Sequence, residues 1–243
     1  MTASAALLFA AGAATAQSPR DANPERPTYA THAYAVATGY AELEQGFSAR
    51  GTHSLRDATS WDVNLKFGLS GWGQFALFGP LYVRGPGGGG VGDLGAALKV
   101  RGDLSRRTAL ALVTAFTAPT GDVARGLGAG RSLGSLTGVV STDLPGGIHV
   151  DINAGPQGIG AGAPQWFTSL SSAYGRGAAG ITLEAFNFTA GAAGPRYMGL
   201  LGALTFRFAP WAVADAGGVL HAAPGSPNQV FVGITTNLGR VVP

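Results

Sequence analysis

Residues Trp61-Asp-Val-Asn-Leu-Lys-Phe67 place every apolar side chain on one face of an extended chain and every polar one on the other. A period of two is the signature of a β-strand, and it returns along most of the sequence. Ile148, Val150 and Ile152 oppose His149, Asp151 and Asn153; Leu94, Leu98 and Val100 oppose Asp93, Lys99 and Arg101. Met198, Leu200, Leu204, Phe206 and Phe208 share one side with Arg207 on the other, and Val230, Val232, Ile234 and Leu238 oppose Thr235 and Asn237. Long helices are excluded by composition: 40 of 243 residues are Gly, each costing a helix about 1 kcal/mol against Ala.

The pattern predicts twelve strands, at 28–46, 61–69, 74–82, 92–102, 107–119, 135–144, 148–156, 166–175, 178–190, 197–208, 212–222 and 229–239. Their connections alternate between tight turns, such as Ser70–Gly73 and Pro145–Gly147, and long Gly- and Pro-rich loops, such as 83–91 and 120–134. That rhythm, with an even strand count and strands near the ~9–11 residues that cross hydrocarbon, predicts an all-β, antiparallel up-and-down transmembrane β-barrel. A soluble barrel alternates too, but only 12% of residues are charged against 46% hydrophobic. The apolar face therefore reads as a lipid belt, with Trp61, Trp166, Tyr174 and Trp211 at strand ends as an interfacial girdle.

Residues 3–16 run ASAALLFAAGAATA and close on a small-x-small pattern before Gln17. They read as a signal peptide, 1–16, followed by a periplasmic segment, 17–27, and a barrel, 28–243. The expected location is the bacterial outer membrane, as a monomer in contact with outer-membrane lipid and a small-molecule solute. The net charge of +3 comes without a Lys/Arg cluster, so no nucleic-acid partner is expected. Cys is absent, which removes thiolate metal sites and Cys nucleophiles. The four His residues form no ligand-spaced pair, and no G-x-S-x-G elbow occurs. No enzyme, metal or cofactor is expected.

Charges on strands are costly in hydrocarbon, by roughly 2–4 kcal/mol for a basic residue at mid-depth. Asp62, Lys66, Asp93, Lys99, Arg101, Asp151, Glu184 and Arg207, together with Glu42, Glu44 and Asp215, are therefore expected to face the lumen. Two readings stand there, a salt-bridge network that holds a narrow barrel together or a charged constriction that filters solutes. Pro119, Thr120, Gly121 and Asp122 read either as a strand exit or as a ligand-binding or constriction loop. Gly87, Gly89 and Gly92 satisfy G-x-G-x-x-G, but another strand rather than a helix follows, so a flexible loop is expected instead of a phosphate site.

The stretch Gly90-Val-Gly-Asp-Leu-Gly-Ala-Ala-Leu-Lys-Val-Arg101 resembles a strand of outer-membrane barrels assigned to the MetA pathway of phenol degradation. Ala109 to Asp122, ending Ala118-Pro-Thr-Gly-Asp122, is similar to the next strand of that family, and Val230 to Gly239 to its closing strand. The chain departs from it by running on to Arg240-Val-Val-Pro243 rather than ending on an aromatic residue. The resemblance implies a passive transporter for small hydrophobic or aromatic solutes, taken up among loops 83–91 and 120–134. The alternative is a closed structural or adhesive barrel without transport.

Overall fold

Alternating strands can satisfy every backbone group in an apolar surround only if the sheet closes on itself. The computed structural model, which describes residues 18–52, 54–55, 57–85 and 87–241, closes in that way. Among the described residues the strands are β1 (Tyr40–Gly51), β2 (Ala58–Ser70), β3 (Gly73–Gly85), β4 (Gly88–Gly90), β5 (Leu94–Asp103), β6 (Thr108–Ala118) and β7 (Leu133–Leu144), followed by β8 (Ile148–Ile159), β9 (Gln165–Arg176), β10 (Ala179–Phe188), β11 (Tyr197–Ala209), β12 (Ala212–His221) and β13 (Asn228–Arg240). Each pairs antiparallel with its neighbours, and β1 joins β13 to complete a twelve-stranded up-and-down barrel, with β4 as an extra piece on β3. The tight turns, such as Ser70–Gly73, lie at one end and the long loops at the other.

The wall is inverted relative to a water-soluble barrel. On its outer face Leu204 is 66% and Leu220 71% exposed, while the inward-facing Lys66 and Glu42 are fully buried. A continuous apolar surface of this kind is unstable in water and stable against acyl chains. Trp166, Tyr174 and Trp211 are exposed at strand ends, where an interfacial girdle belongs.

The N-terminal boundary of the sheet differs from the sequence reading. The first strand begins at Tyr40 rather than near residue 28. Residues 18–39 stay out of the ladders except for a single bridge, Thr38 to Gly68, and run inside the barrel. Residues 18–27, expected to lie in the periplasm, share this interior path. An extended segment bonded to wall side chains shows the same alternation as a strand bonded to a neighbour, so periodicity does not separate the two. The expected signal peptide, 1–16, lies outside the described residues.

One stretch of wall is incomplete. β3 pairs with β5 only over Gly73–Phe78, and its Val83–Gly85 end turns to β4 instead. The loop between β6 and β7 packs there, with Leu127 buried against the backbone of Gly90.

Candidate functional site in the barrel interior

The interior segment makes a long U. It enters at the turn end, where the Asn237 side chain donates to the carbonyls of Pro19 and Asp21. It climbs to an apex at Thr28–Ala30 near the loop-end residues Tyr197 and Gln229. It then descends past β8 and β7 and leaves at Gly68 on β2.

An extended chain inside a sealed barrel leaves its backbone polar groups in want of partners. Wall side chains supply them one after another. The backbone N–H of Asn23 donates to Glu42 at 2.7 Å and that of Glu25 to Glu44 at 2.6 Å. Tyr29 and Ala30 donate to the two oxygens of Glu184 at 2.8 and 2.7 Å. Thr31 donates to Asn153 at 3.0 Å, Ala33 to the Ser141 hydroxyl at 2.7 Å and Val36 to Gln74 at 2.9 Å. In the other direction, Lys66 donates to the carbonyl of Asn23, Arg207 to that of Ala22 and Asn153 to that of Thr31.

Ion pairs lock the turn-end half. Lys66 Nζ lies 2.6 Å from Glu42 and 2.7 Å from Glu44. Lys99 Nζ lies 2.6 Å from Glu25 of the segment and also donates to the Thr31 hydroxyl and the His32 and Tyr34 carbonyls. Arg26 grips Asp215 with two nitrogens, at 3.1 and 3.0 Å, the strong bidentate geometry. Its guanidinium passes Gly46 and Gly233, where a Cβ would stand 2.5 and 2.4 Å from it. His32 has both ring nitrogens buried without hydrogen-bond partners.

The loop-end half is aromatic. Phe167, Phe186, Leu201, Val219 and Phe231 turn inward and are buried, with Tyr29, Phe188 and Tyr197 packed on them. The rings of Tyr29 and Phe186 lie 4.3 Å apart, and those of Phe167 and Phe188 stack at 4.6 Å. Beside this cluster a cavity of about 150 Å³ is bordered by Arg26, Tyr29, Ser48, Asp62, Gln229 and Phe231. A second cavity, of about 260 Å³, lies at the turn end between the arms of the U and is bordered by Asp21, Asn23, Tyr34, Glu42, Arg101 and Asn237.

The residues singled out from sequence are thus distributed over different tasks. Lys66, Lys99, Glu184 and Arg207 contact the interior segment. Asp151 accepts from Ser141 and Ser171 and lies 3.0 Å from His149, one shell behind the segment. Arg101 reaches Asp103 and the Gly71 carbonyl and stacks over Tyr34. Asp62 borders the loop-end cavity and accepts from Ser60. Asp93 holds a loop: its two oxygens accept the backbone N–H groups of Gly121 and Ala129, which ties the β6–β7 loop to the start of β5. In that loop Thr120 bridges Gly92 and Leu94, and Asp122 caps a 3-10 turn at Val123–Arg125. Pro119 is exposed and Gly121 buried against the Leu127 carbonyl.

Sequence reasoning missed the inward aromatic residues. A signal was present: Phe186 and Phe188 share the parity of Glu184, and Phe231 that of Thr235. It also missed the U, whose residues from Thr28 onward it read as the first strand.

No family model and no curated protein matches the chain. Solved structures do. The COG4313 outer membrane channel from Pseudomonas putida F1 superposes with a TM-score of 0.65 at 15% identity, covering 87% of this chain and 100% of that one. The NanC porin superposes at 0.60 with 8% identity, covering 81% and 100%. The KdgM porin in complex with disordered oligogalacturonate gives 0.59 with 6% identity, covering 80% and 98%. At such identities the shared property is the fold.

Proposed function

We propose that the chain is a passive channel of the bacterial outer membrane, exported by residues 1–16, that admits small apolar or aromatic solutes as a monomer. The observation that carries this reading is the inward aromatic cluster of Phe167, Phe186, Phe188, Tyr197 and Phe231 at the loop end. Aromatic rings turned into a lumen offer a solute ring offset-stacked or edge-on contacts of about 0.5–1.5 kcal/mol each. The neighbouring cavity of about 150 Å³ is bordered by Tyr29 and Phe231 of that cluster, together with Arg26, Asp62 and Gln229. The inverted wall supports membrane embedding, and the neighbours described as channels and porins support passage. The resemblance to MetA-pathway barrels supports the aromatic solute class. The reading calls for no cofactor and no chemical step.

Passage requires residues 18–39 to shift, since they occupy the interior. The same occupancy favours a second reading, a closed barrel with a structural role. Planar-bilayer recording of the purified full chain separates the two. Discrete conductance steps, with aromatic solute entering proteoliposomes faster than a sugar of equal size, support the channel. Silence together with no solute entry supports the closed barrel.

A further inference from the structure

The contacts between wall and segment have an uneven character. Seven wall acceptors take backbone N–H groups between Asn23 and Val36, from Glu42, Glu44, both oxygens of Glu184, Asn153, Ser141 and Gln74. Lys66, Lys99, Arg207, Asn153 and Asn237 return donors to backbone carbonyls. These bonds are available to any extended chain except where Pro stands. Side-chain contacts add to them at five residues: Glu25 on Lys99 and Gln74, Arg26 on Asp215, Tyr29 on Tyr197 and Gln229, the Thr31 hydroxyl on Lys99, and Tyr34 on Asp143 and Arg101. Where the chain presses on the wall it is small, with Ala22, Ala30, Ala33 and Val36 all buried. The wall yields in kind, since a Cβ on Gly68 would meet the carbonyls of Ala37 and Val36 at 2.1 and 2.3 Å.

A lumen lined this way is a receptor for main chain. We infer that the barrel interior is a binding groove for extended oligopeptides, read through their backbone, which residues 18–39 occupy in cis and a free peptide can occupy in their place. The ligand class is an extended peptide with small side chains where Ala22, Ala30, Ala33 and Val36 now sit and an acidic residue facing Lys99. The groove offsets the cost of burying peptide groups, a cost that an aromatic lumen would not meet. This inference is independent of the solute reading, because it concerns the polar lining and not the aromatic cluster.

The test uses the whole folded chain with a protease site introduced at residues 37–39, so that the seated segment becomes a non-covalent ligand after cleavage. A fluorescent label on the segment reports its retention, and three synthetic peptides are offered in excess. The first carries the native sequence of residues 18–39. The second keeps Glu25, Arg26, Tyr29, Thr31, Tyr34 and the buried small positions but has the other side chains rewritten. The third is native but N-methylated at Tyr29, Ala30 and Thr31. The expected result is exchange of the label by the first two peptides with similar affinity, and a loss of about tenfold for each hydrogen bond removed in the third. Equal binding of the N-methylated peptide, failure of the rewritten one, or a groove that takes up no added peptide would overturn the inference. Uncleaved protein treated alike controls for loss of folding, read by its resistance to unfolding in unheated detergent.

Discussion

The two halves of the lumen solve opposite problems. At the turn end, three carboxylates, Glu42, Glu44 and Glu25, share two ammonium groups, Lys66 and Lys99, around the interior segment. At the loop end the wall presents Phe167, Phe186, Phe188 and Phe231, and the segment answers with Tyr29. A buried ion cluster keeps its energy only while each member has its partner, whereas an aromatic cluster tolerates displacement because its contacts have no strict geometry. The turn end is therefore suited to holding the segment, and the loop end to receiving something else.

Changes at the turn end should alter closure and stability without altering what enters. The largest effect is expected for Lys66→Met, which strands Glu42 and Glu44 in a buried site. It should cost about 3–5 kcal/mol, the penalty for breaking a buried pair, read as a lowered urea midpoint in detergent and more frequent open events in bilayers. Gly233→Ala comes next: its Cβ enters the space of the Arg26 guanidinium. Such overpacking should cost about 1–3 kcal/mol and vanish in an Arg26→Ala background, where a double-mutant cycle measures the coupling.

At the loop end the readout reverses. Phe186→Ala should slow entry of an aromatic solute about tenfold, the equivalent of one to two ring contacts, while small-ion conductance stays the same. Equal losses for aromatic and ionic flux would erase the division of labour.

The wall was legible in the sequence because period-two alternation carries both strand and facing. Trp61 through Phe67 or Ile148 through Asn153 place each charge inside and each large aliphatic outside, with only a two-sided wall to choose from. The interior segment was not legible. Tyr29, Thr31 and Ala33 alternate as a strand does, and nothing local tells whether a backbone N–H meets a neighbouring strand or a Glu184 carboxylate 155 residues away. The role of Asp93 escaped for the same reason: parity placed it with Lys99, but the β3–β5 gap frees its end of β5 to hold Gly121 and Ala129.

The account rests on residues 18–39 being seated in the lumen and governing its passage. A chain without cysteine allows a clean test by the double variant Ala33→Cys and Ser141→Cys, positions joined by a 2.7 Å hydrogen bond between the Ala33 N–H and the Ser141 hydroxyl. Single-channel recording before and after reduction is the most direct measurement. Oxidation should lock the segment to β7 and abolish open events, and reduction on the same membrane should restore them. Conductance indifferent to the joining of the two thiols would contradict it.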